Sequence, residues 1–242
     1  MTKARKHLAW ALGVLVAFAG AAAQSAPRAP QAQAPALTLR PGDRIAFLGG
    51  AVVEREYHYG LIETALTLAH PDKRLTFRNL GWSGDTVRGE ARAYFGEPAE
   101  GYKALVAAVA GADPDVVFLA YGGNEAFEGE PGLAAFVAQY ERLLADLAAP
   151  DRRLVLLTPL PADAGTSPRP PAAVEARNRT LARYSDAILA MAKSRGLASI
   201  DLFGAMRAAP RTAGPSWFAN GHHLSEAGYL AVARHIAVRT SA

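Results

Sequence analysis

Short apolar runs alternate with longer helical patterns through most of this chain. The β-type runs cover 44–48, 75–80, 116–121, 154–158 and 198–202, and helical periodicity covers 57–69, 102–112, 133–147, 172–195 and 225–238. Five strands separated by helices predict one parallel sheet with right-handed crossovers and helices on both faces. The alternation therefore predicts an α/β fold with three layers.

The first 40 residues differ in composition from the rest. Residues 1–23 contain a basic start, an apolar run and then small residues, which is typical of a secretory signal peptide. The apolar run is shorter than the roughly 20 residues of a membrane-spanning helix, so we expect no stable membrane anchor. Residues 24–40 are rich in Ala, Pro and Gln and predict a linker. We expect a periplasmic or secreted protein with one folded domain at 41–240.

Charge and cysteine content exclude several classes of protein. The whole chain has a formal net charge of +4, but the predicted signal peptide carries three cations and no acid, which leaves the mature chain close to neutral. Nothing in this balance indicates nucleic acid as a partner. The chain has no cysteine, so it has no disulfides. No glycine pattern typical of dinucleotide or phosphate-loop binding follows the first strand, and we expect no cofactor.

Four short segments lie next to predicted strand ends or before the last helix. Their sequences are LGGA at 48–51, GWSGDT at 81–86, YGGNE at 121–125 and NGHHLSEAGY at 220–229. Because the carboxyl ends of parallel strands meet at one edge of a sheet, we expect these segments to lie close together there. The Pro-rich connection 158–171 follows a strand end too, and is predicted either to border a ligand site or to be a tolerated surface loop.

Together, in this order, the four segments resemble the SGNH hydrolases, also called the GDSL esterase and lipase family. The resemblance covers most of the chain beyond the linker and implies a three-layer α/β/α fold with a flavodoxin-like parallel five-stranded sheet. It also implies an oxyanion hole that includes Gly84 and Asn124, with His223 as the base. Ala51 stands where the family has its nucleophilic serine, and Asn220 where it has the orienting acid.

With these two departures, the resemblance implies a divergent member of the family that lacks the nucleophilic serine. Alanine has no group that can attack an acyl carbon, and removing the serine of a triad costs roughly a millionfold in kcat in a well-studied protease. Asn220 carries no charge to stabilise an imidazolium and favours the wrong tautomer of His223. Backbone donors at residues 51 and 84 and the Asn124 amide do not depend on the lost hydroxyl.

Three functions stay open at this point. The first is a pseudoenzyme that binds ester or carbohydrate ligands with little serine-type hydrolysis. The second is an active carboxylic-ester hydrolase of the acetylesterase type, in which His223 activates a water or Ser83 attacks. The third is an interaction module without a ligand. Retention of Gly84, Asn124 and His223 favours the first two.

Several nearby residues allow two interpretations each. Ser83 is either a relocated nucleophile or a hydroxyl that stabilises its turn, and Glu125 either contacts a ligand or is solvated. Tyr121 suits either stacking on a sugar ring or packing under loops. His222 and His223 are adjacent, but neighbours on an extended segment point apart, and we expect no metal.

Overall fold

A computed structural model describes residues 37–209 and 214–240 of the chain. The predicted signal peptide and most of the predicted linker therefore lie outside the described residues. Leu37 and Leu39, at the end of the predicted linker, are buried in the apolar core. The packed part of the chain thus includes residues from position 37 onward. Within the described residues, no helix is both long and apolar enough to cross a membrane.

The five predicted strands form a single parallel sheet. They are β1 (Arg44–Gly49), β2 (Thr76–Gly81), β3 (Val116–Ala120), β4 (Arg153–Leu157) and β5 (Ala198–Ile200), in the order β2-β1-β3-β4-β5. All neighbouring pairs are parallel. This order is the flavodoxin-like one, and it reverses direction at β1 and β3, where ligands of such folds bind. The predicted three-layer fold is confirmed.

Seven α-helices connect and cover the strands in the described part of the chain. They are α1 (Ala51–Glu54), α2 (Leu61–Ala69), α3 (Pro98–Ala112), α4 (Leu133–Asp146), α5 (Pro171–Ser194), α6 (Leu202–Ala208) and α7 (Glu226–Thr240). Short 3₁₀ helices occupy Arg55–His58, Glu90–Ala93 and Glu125–Glu128. The sequence did not predict α1 or α6, and residue 202, which it assigned to the fifth strand, begins α6 instead. Asp201 caps that helix by accepting from Gly204 N at 2.9 Å.

Alternate residues of the strands point to opposite faces, and each face has its own apolar layer. Leu119 packs with side chains of α3, α4 and α5, including Phe136 and Ile188. Phe118, its neighbour on β3, packs with side chains of α2 and α7 on the other face. Because both faces of the sheet are covered, the sequences of the strands are nearly continuous apolar runs. The carboxyl ends of β1 and β3 are left free to carry polar loops.

Candidate active site and ligand cavity

The turn after β1 lies close to the end of β3. A Cβ added at Gly49 would lie 2.6 Å from the carbonyl oxygen of Ala120, so only glycine allows the two strands this approach. Ala51 follows as the first residue of α1. The N–H of a first helical residue has no partner inside its helix, so the Ala51 N–H is available for other contacts. A short helix thus begins where the family resemblance places the nucleophile.

The side chain of Asn124 lies beside this turn. Its Nδ2 donates to the carbonyl oxygen of Asp85 at 2.7 Å, which fixes the orientation of the amide. A Cβ added at Gly50 would lie 3.1 Å from the same Nδ2. The amide has two N–H groups, and the bond to Asp85 uses one of them. The structure therefore brings Asn124 next to Gly50 and Ala51, as predicted, with one donor remaining.

Gly84 forms the tight turn that follows β2. Its φ of +78° is in the left-handed region that glycine adopts without strain, and Asp85 N donates to Trp82 O at 3.0 Å across the turn. Asp85 lines the cavity described below, whereas Gly84 is not among the residues found in that wall. The role of the Gly84 N–H as an oxyanion donor stays a prediction.

Asp85 has a structural role beneath this turn. Its carboxylate is fully buried, forms an ion pair with Arg92 at 2.8 Å and accepts from the Tyr121 hydroxyl at 3.0 Å. Burial raises the pKa of Asp85, and the Arg92 charge opposes that shift. Tyr121 itself is only 2% exposed, so its ring packs under the loops and does not form a face for a sugar.

Asn220 contacts His223 through both ends of its amide. Its Oδ1 accepts from the backbone N–H of His223 at 3.0 Å, and its Nδ2 lies 3.1 Å from the ring Nδ1. The first bond assigns the amide orientation, because a flipped amide would place two donors against each other. Since an amide nitrogen only donates, the Nδ1 of His223 accepts, and in the neutral ring the proton is on Nε2.

The electrostatic surroundings favour this neutral form of His223. Partial burial lowers its pKa, and the nearby His222 and Arg55 lower it further, with Glu54 acting in the opposite direction. A neutral imidazole whose Nδ1 accepts presents an Nε2–H donor to its surroundings. In a triad the orienting acid accepts from Nδ1–H and leaves Nε2 free to take a proton. The contact with Asn220 gives the reverse arrangement.

These residues line one cavity of about 360 Å³ at the carboxyl edge of the sheet. Ala51, Asn124, Asn220 and His223 all contribute to its wall, so the structure brings together four of the five residues that the sequence analysis selected. Much of the remaining wall is apolar and comes from β1, α5 and α7. Ligand sites are typically apolar clefts with a few convergent polar groups, and this cavity has that character.

The Pro-rich connection at 158–171 forms part of the same wall. Asp163 N donates to Gly221 O at 2.8 Å, and Gly221 N donates to Thr166 Oγ1 at 3.0 Å. These bonds join the connection to the segment that carries His223. Of the two predicted roles, the structure favours a border of the candidate site over a tolerated surface loop.

Ser83 and Glu125, for which the sequence left two interpretations each, both form hydrogen bonds within the protein. Ser83 donates to Glu54 at 2.8 Å and is not among the residues of the cavity wall. Glu125 is only 2% exposed, and its two oxygens accept from the backbone N–H groups of Val87 and Gly122. Its side chain therefore holds two loops together and is not solvated. In the described residues, no group of three or more His, Asp and Glu side chains is placed to hold a metal ion.

Several charged or aromatic residues of the cavity wall were not singled out from the sequence. They include Glu56, Phe127, Arg169 and Arg177. Glu56 is only 3% exposed, and its Oε1 accepts from Ile62 N at 2.6 Å, at the start of α2. Burial raises the pKa of Glu56 to about 7. Arg169 lies on the Pro-rich connection 158–171, but the sequence did not single it out, and nothing in the sequence indicated which face of α5 carries Arg177.

Comparisons with known proteins were made for sequence and for structure. A sequence profile of the GDSL-like lipase/acylhydrolase family matches residues 56–231. The match begins after Ala51 and contains Gly84, Asn124, Asn220 and His223. A search of curated proteins found no match.

Solved structures of several hydrolases share the fold. An acetylxylan esterase from Geobacillus stearothermophilus is 18% identical with a TM-score of 0.63, over 85% of this chain and 97% of that one. An α/β hydrolase from the metagenome of Lake Arreo, Spain, is 20% identical with a TM-score of 0.61, over 84% and 96%. A gut microbial diltiazem-metabolizing enzyme is 16% identical with a TM-score of 0.62, over 86% of this chain but only 48% of that one. At these identities the likeness concerns the fold.

Proposed function

The chain belongs to the GDSL-like lipase/acylhydrolase family, and from that premise we propose that it binds ester or carbohydrate ligands with little serine-type hydrolysis. The ligand occupies the cavity at the carboxyl edge of the sheet. Ala51 replaces the nucleophile there and Asn220 replaces the orienting acid. The protein is in this proposal a binding protein built on a hydrolase fold.

The contact between Asn220 and His223 carries the proposal. A base for hydrolysis needs a lone pair on Nε2 of the histidine. Because Asn220 Nδ2 donates to Nδ1 of His223 at 3.1 Å, the proton of the neutral ring lies on Nε2, which then has no lone pair. In a serine protease, replacing the orienting aspartate by asparagine lowers kcat by about 10⁴-fold through the wrong tautomer. The missing hydroxyl at residue 51 is then a second defect, because Nε2 of His223 is already a donor and cannot act as a base.

The polar groups near the turn are donors. The Ala51 N–H, the second N–H of Asn124 and the Nε2–H of His223 each suit an acceptor oxygen, such as an ester carbonyl or a sugar hydroxyl. All three residues line the same cavity. Donors held in place before the ligand arrives favour binding because little ordering is needed on association.

The predicted secretion of the protein and its structural similarity to esterases both bear on the ligand class. A secreted location, which the N-terminal segment predicts, would expose the cavity to extracellular polysaccharide. One protein of similar fold is an acetylxylan esterase, so an acylated sugar is the ligand class that we propose. No partner beyond such a small molecule or carbohydrate ester is part of the proposal.

Hydrolysis of p-nitrophenyl acetate tests this function. We expect wild-type protein to give a rate close to the uncatalysed one, because Ala51 offers no hydroxyl and His223 no base. The Ala51→Ser, Asn220→Asp double variant should exceed wild type by at least about 10²-fold, since it regains both nucleophile and orienting acid. The Ala51→Ser single variant is the matched control, and it should gain much less because Asn220 still donates to His223.

Brisk wild-type turnover would contradict the binding function. If His223→Ala then abolished the activity, the chain would be an active ester hydrolase that uses His223 with a water. Loss of activity in Ser83→Ala would identify that hydroxyl as the nucleophile. Ser167→Ala makes the same test for the serine that lines the cavity.

A further inference from the structure

Arg177 is held rigidly in the cavity wall beside Asn124. Its Nη2 donates to the carbonyl oxygen of Gly123 at 2.5 Å, and its guanidinium lies 3.8 Å from the centre of the Phe127 ring. Phe127 is 70% exposed, so the stacked pair forms the outer part of this wall. Stacking on an aromatic ring and donation to a carbonyl fix the guanidinium plane without neutralising its charge.

A second arginine lies near the first, and in the described part of the chain neither has an acidic partner. Arg169, on the Pro-rich connection, lines the same cavity. Within 37–209 and 214–240, no carboxylate forms an ion pair with Arg169 or Arg177. The Nη1 of Arg177 is buried without a hydrogen-bond partner among those residues. Burial, followed by the charge of Arg169, lowers the pKa of Arg177 to about 10.

The acidic groups of the cavity wall are already engaged. Asp85 is ion-paired with Arg92, and both oxygens of Glu125 accept from backbone N–H groups. Glu56 accepts from a backbone N–H at the start of α2 and has a raised pKa because of its burial. The cavity end at the two arginines therefore has positive charge that no carboxylate of the described residues balances. A partly buried cation without a partner, such as Arg177, is costly, and an anion bound to it would remove that cost, while the exposed Arg169 adds to the attraction.

We infer that the ligand carries a carboxylate, and that Arg177 and Arg169 bind this group while the donors near Asn124 hold another oxygen of the same molecule. The inference rests on the proposed function, because it specifies the ligand class of the same cavity. A planar guanidinium matches a carboxylate with two parallel hydrogen bonds. Acidic sugars, in which a uronic acid carboxylate is attached to a ring with several hydroxyls, combine both requirements.

D-Glucuronate and D-glucose are matched probes for this inference, because they differ at C6 by the carboxylate. We expect calorimetric titration at low ionic strength to show that wild-type protein binds glucuronate at least about 10-fold more tightly than glucose, which corresponds to about 1.4 kcal/mol. Arg177→Gln should remove most of that preference, measured as the ratio of the glucuronate and glucose affinities of the same variant. Arg169→Gln, at an exposed position, should reduce the preference in part and keeps the test valid if Arg177→Gln does not fold.

Arg179→Gln is the matched control. Arg179 lies on the same helix, is exposed and is not among the residues of the cavity wall. Its substitution removes one positive charge from the same region, so an equal loss of glucuronate binding in this variant would show general attraction of charge and overturn the inference. Equal affinity for glucuronate and glucose, or no detectable binding of glucuronate, would overturn it as well.

Competition with inorganic phosphate distinguishes a site for carboxylate ligands from a site for phosphorylated ligands. If phosphate competes with glucuronate and binds more tightly in an Arg177-dependent manner, the carboxylate assignment is wrong and the site is one for phosphorylated ligands. These outcomes leave the binding function itself untouched, since that function is tested by p-nitrophenyl acetate hydrolysis. A failure of the carboxylate preference and a failure of the proposed function are therefore distinguishable.

Discussion

Glu56 should make the stability of the protein depend on pH in a way that one substitution removes. The side chain is only 3% exposed, its Oε1 accepts from Ile62 N, and its Oε2 is buried without a partner among the described residues. Burial raises the pKa of the carboxyl from 4.5 to about 7 in the folded protein. Glutamine at this position has nearly the shape of the protonated acid but does not titrate.

The sign and size of the effect follow from proton binding. Between about pH 4.5 and 7 the folded state holds a proton that the unfolded state has lost, so the free energy of unfolding falls as pH rises. The stabilisation is fully present below the pKa of the unfolded state, 4.5, and is lost as pH rises through the pKa of the folded state, about 7. At about 1.4 kcal/mol per pH unit, the difference between a pKa of 4.5 and one of about 7 amounts to about 3 kcal/mol.

Urea unfolding at pH 4.5, 6 and 8 measures this quantity. Relative to Glu56→Gln, wild-type protein should lose about 3 kcal/mol of unfolding free energy between the lowest and the highest pH. Other titrating groups, such as Asp85, contribute equally to both proteins and drop out of the difference. Glu130→Gln, at an exposed position, is the control and should follow wild type. Parallel pH curves for wild type and Glu56→Gln would refute the reasoning.

Two further predictions concern stability and are checked by urea unfolding. Gly101→Ala should destabilise because the new Cβ would lie 2.2 Å from the carbonyl oxygen of Gly89, whereas Gly111→Ala, in the same helix α3 with open space around it, should stabilise by about 0.5–1 kcal/mol. A loss in both variants would contradict the packing argument. Arg92→Met should cost about 3–5 kcal/mol because it leaves the buried Asp85 charge without its partner, and adding Asp85→Asn should recover part of this loss. The absence of such recovery would show that Arg92 acts through packing.

The strands and their parallel arrangement could be predicted because short apolar runs alternate with helical patterns, whereas the strand order was implied by the family resemblance. A parallel sheet buried on both faces requires such runs, and helical periodicity separates them clearly. The helices α1 and α6 were missed for a physical reason. Both are short and begin directly after a strand, so the chain supplies too few residues for a periodic pattern.

The loops that form the candidate site could be predicted from the sequence, but the positions of its charged side chains could not. Asn124 and His223 were selected because their segments resemble those of the SGNH hydrolases, and both line the cavity. Of the two alternatives for Glu125, solvation was wrong, because burial of a carboxylate between two backbone donors leaves no trace in the sequence. Arg177 was missed because its place in the wall depends on Phe127, 50 positions earlier in the chain. Contacts of this kind appear only when helix and loop are folded together.

The double contact of Asn220 has a consequence for how this protein could change. An aspartate at the same position could accept from the backbone N–H of His223 as asparagine does, so the turn would keep its shape while the ring reversed its proton. Residue 51 likewise contributes its N–H whatever its side chain. Loss or recovery of reactivity at this edge of the sheet is thus separable from folding, and under the proposed function Ala51→Ser and Asn220→Asp together would turn a ligand-binding protein into an ester hydrolase.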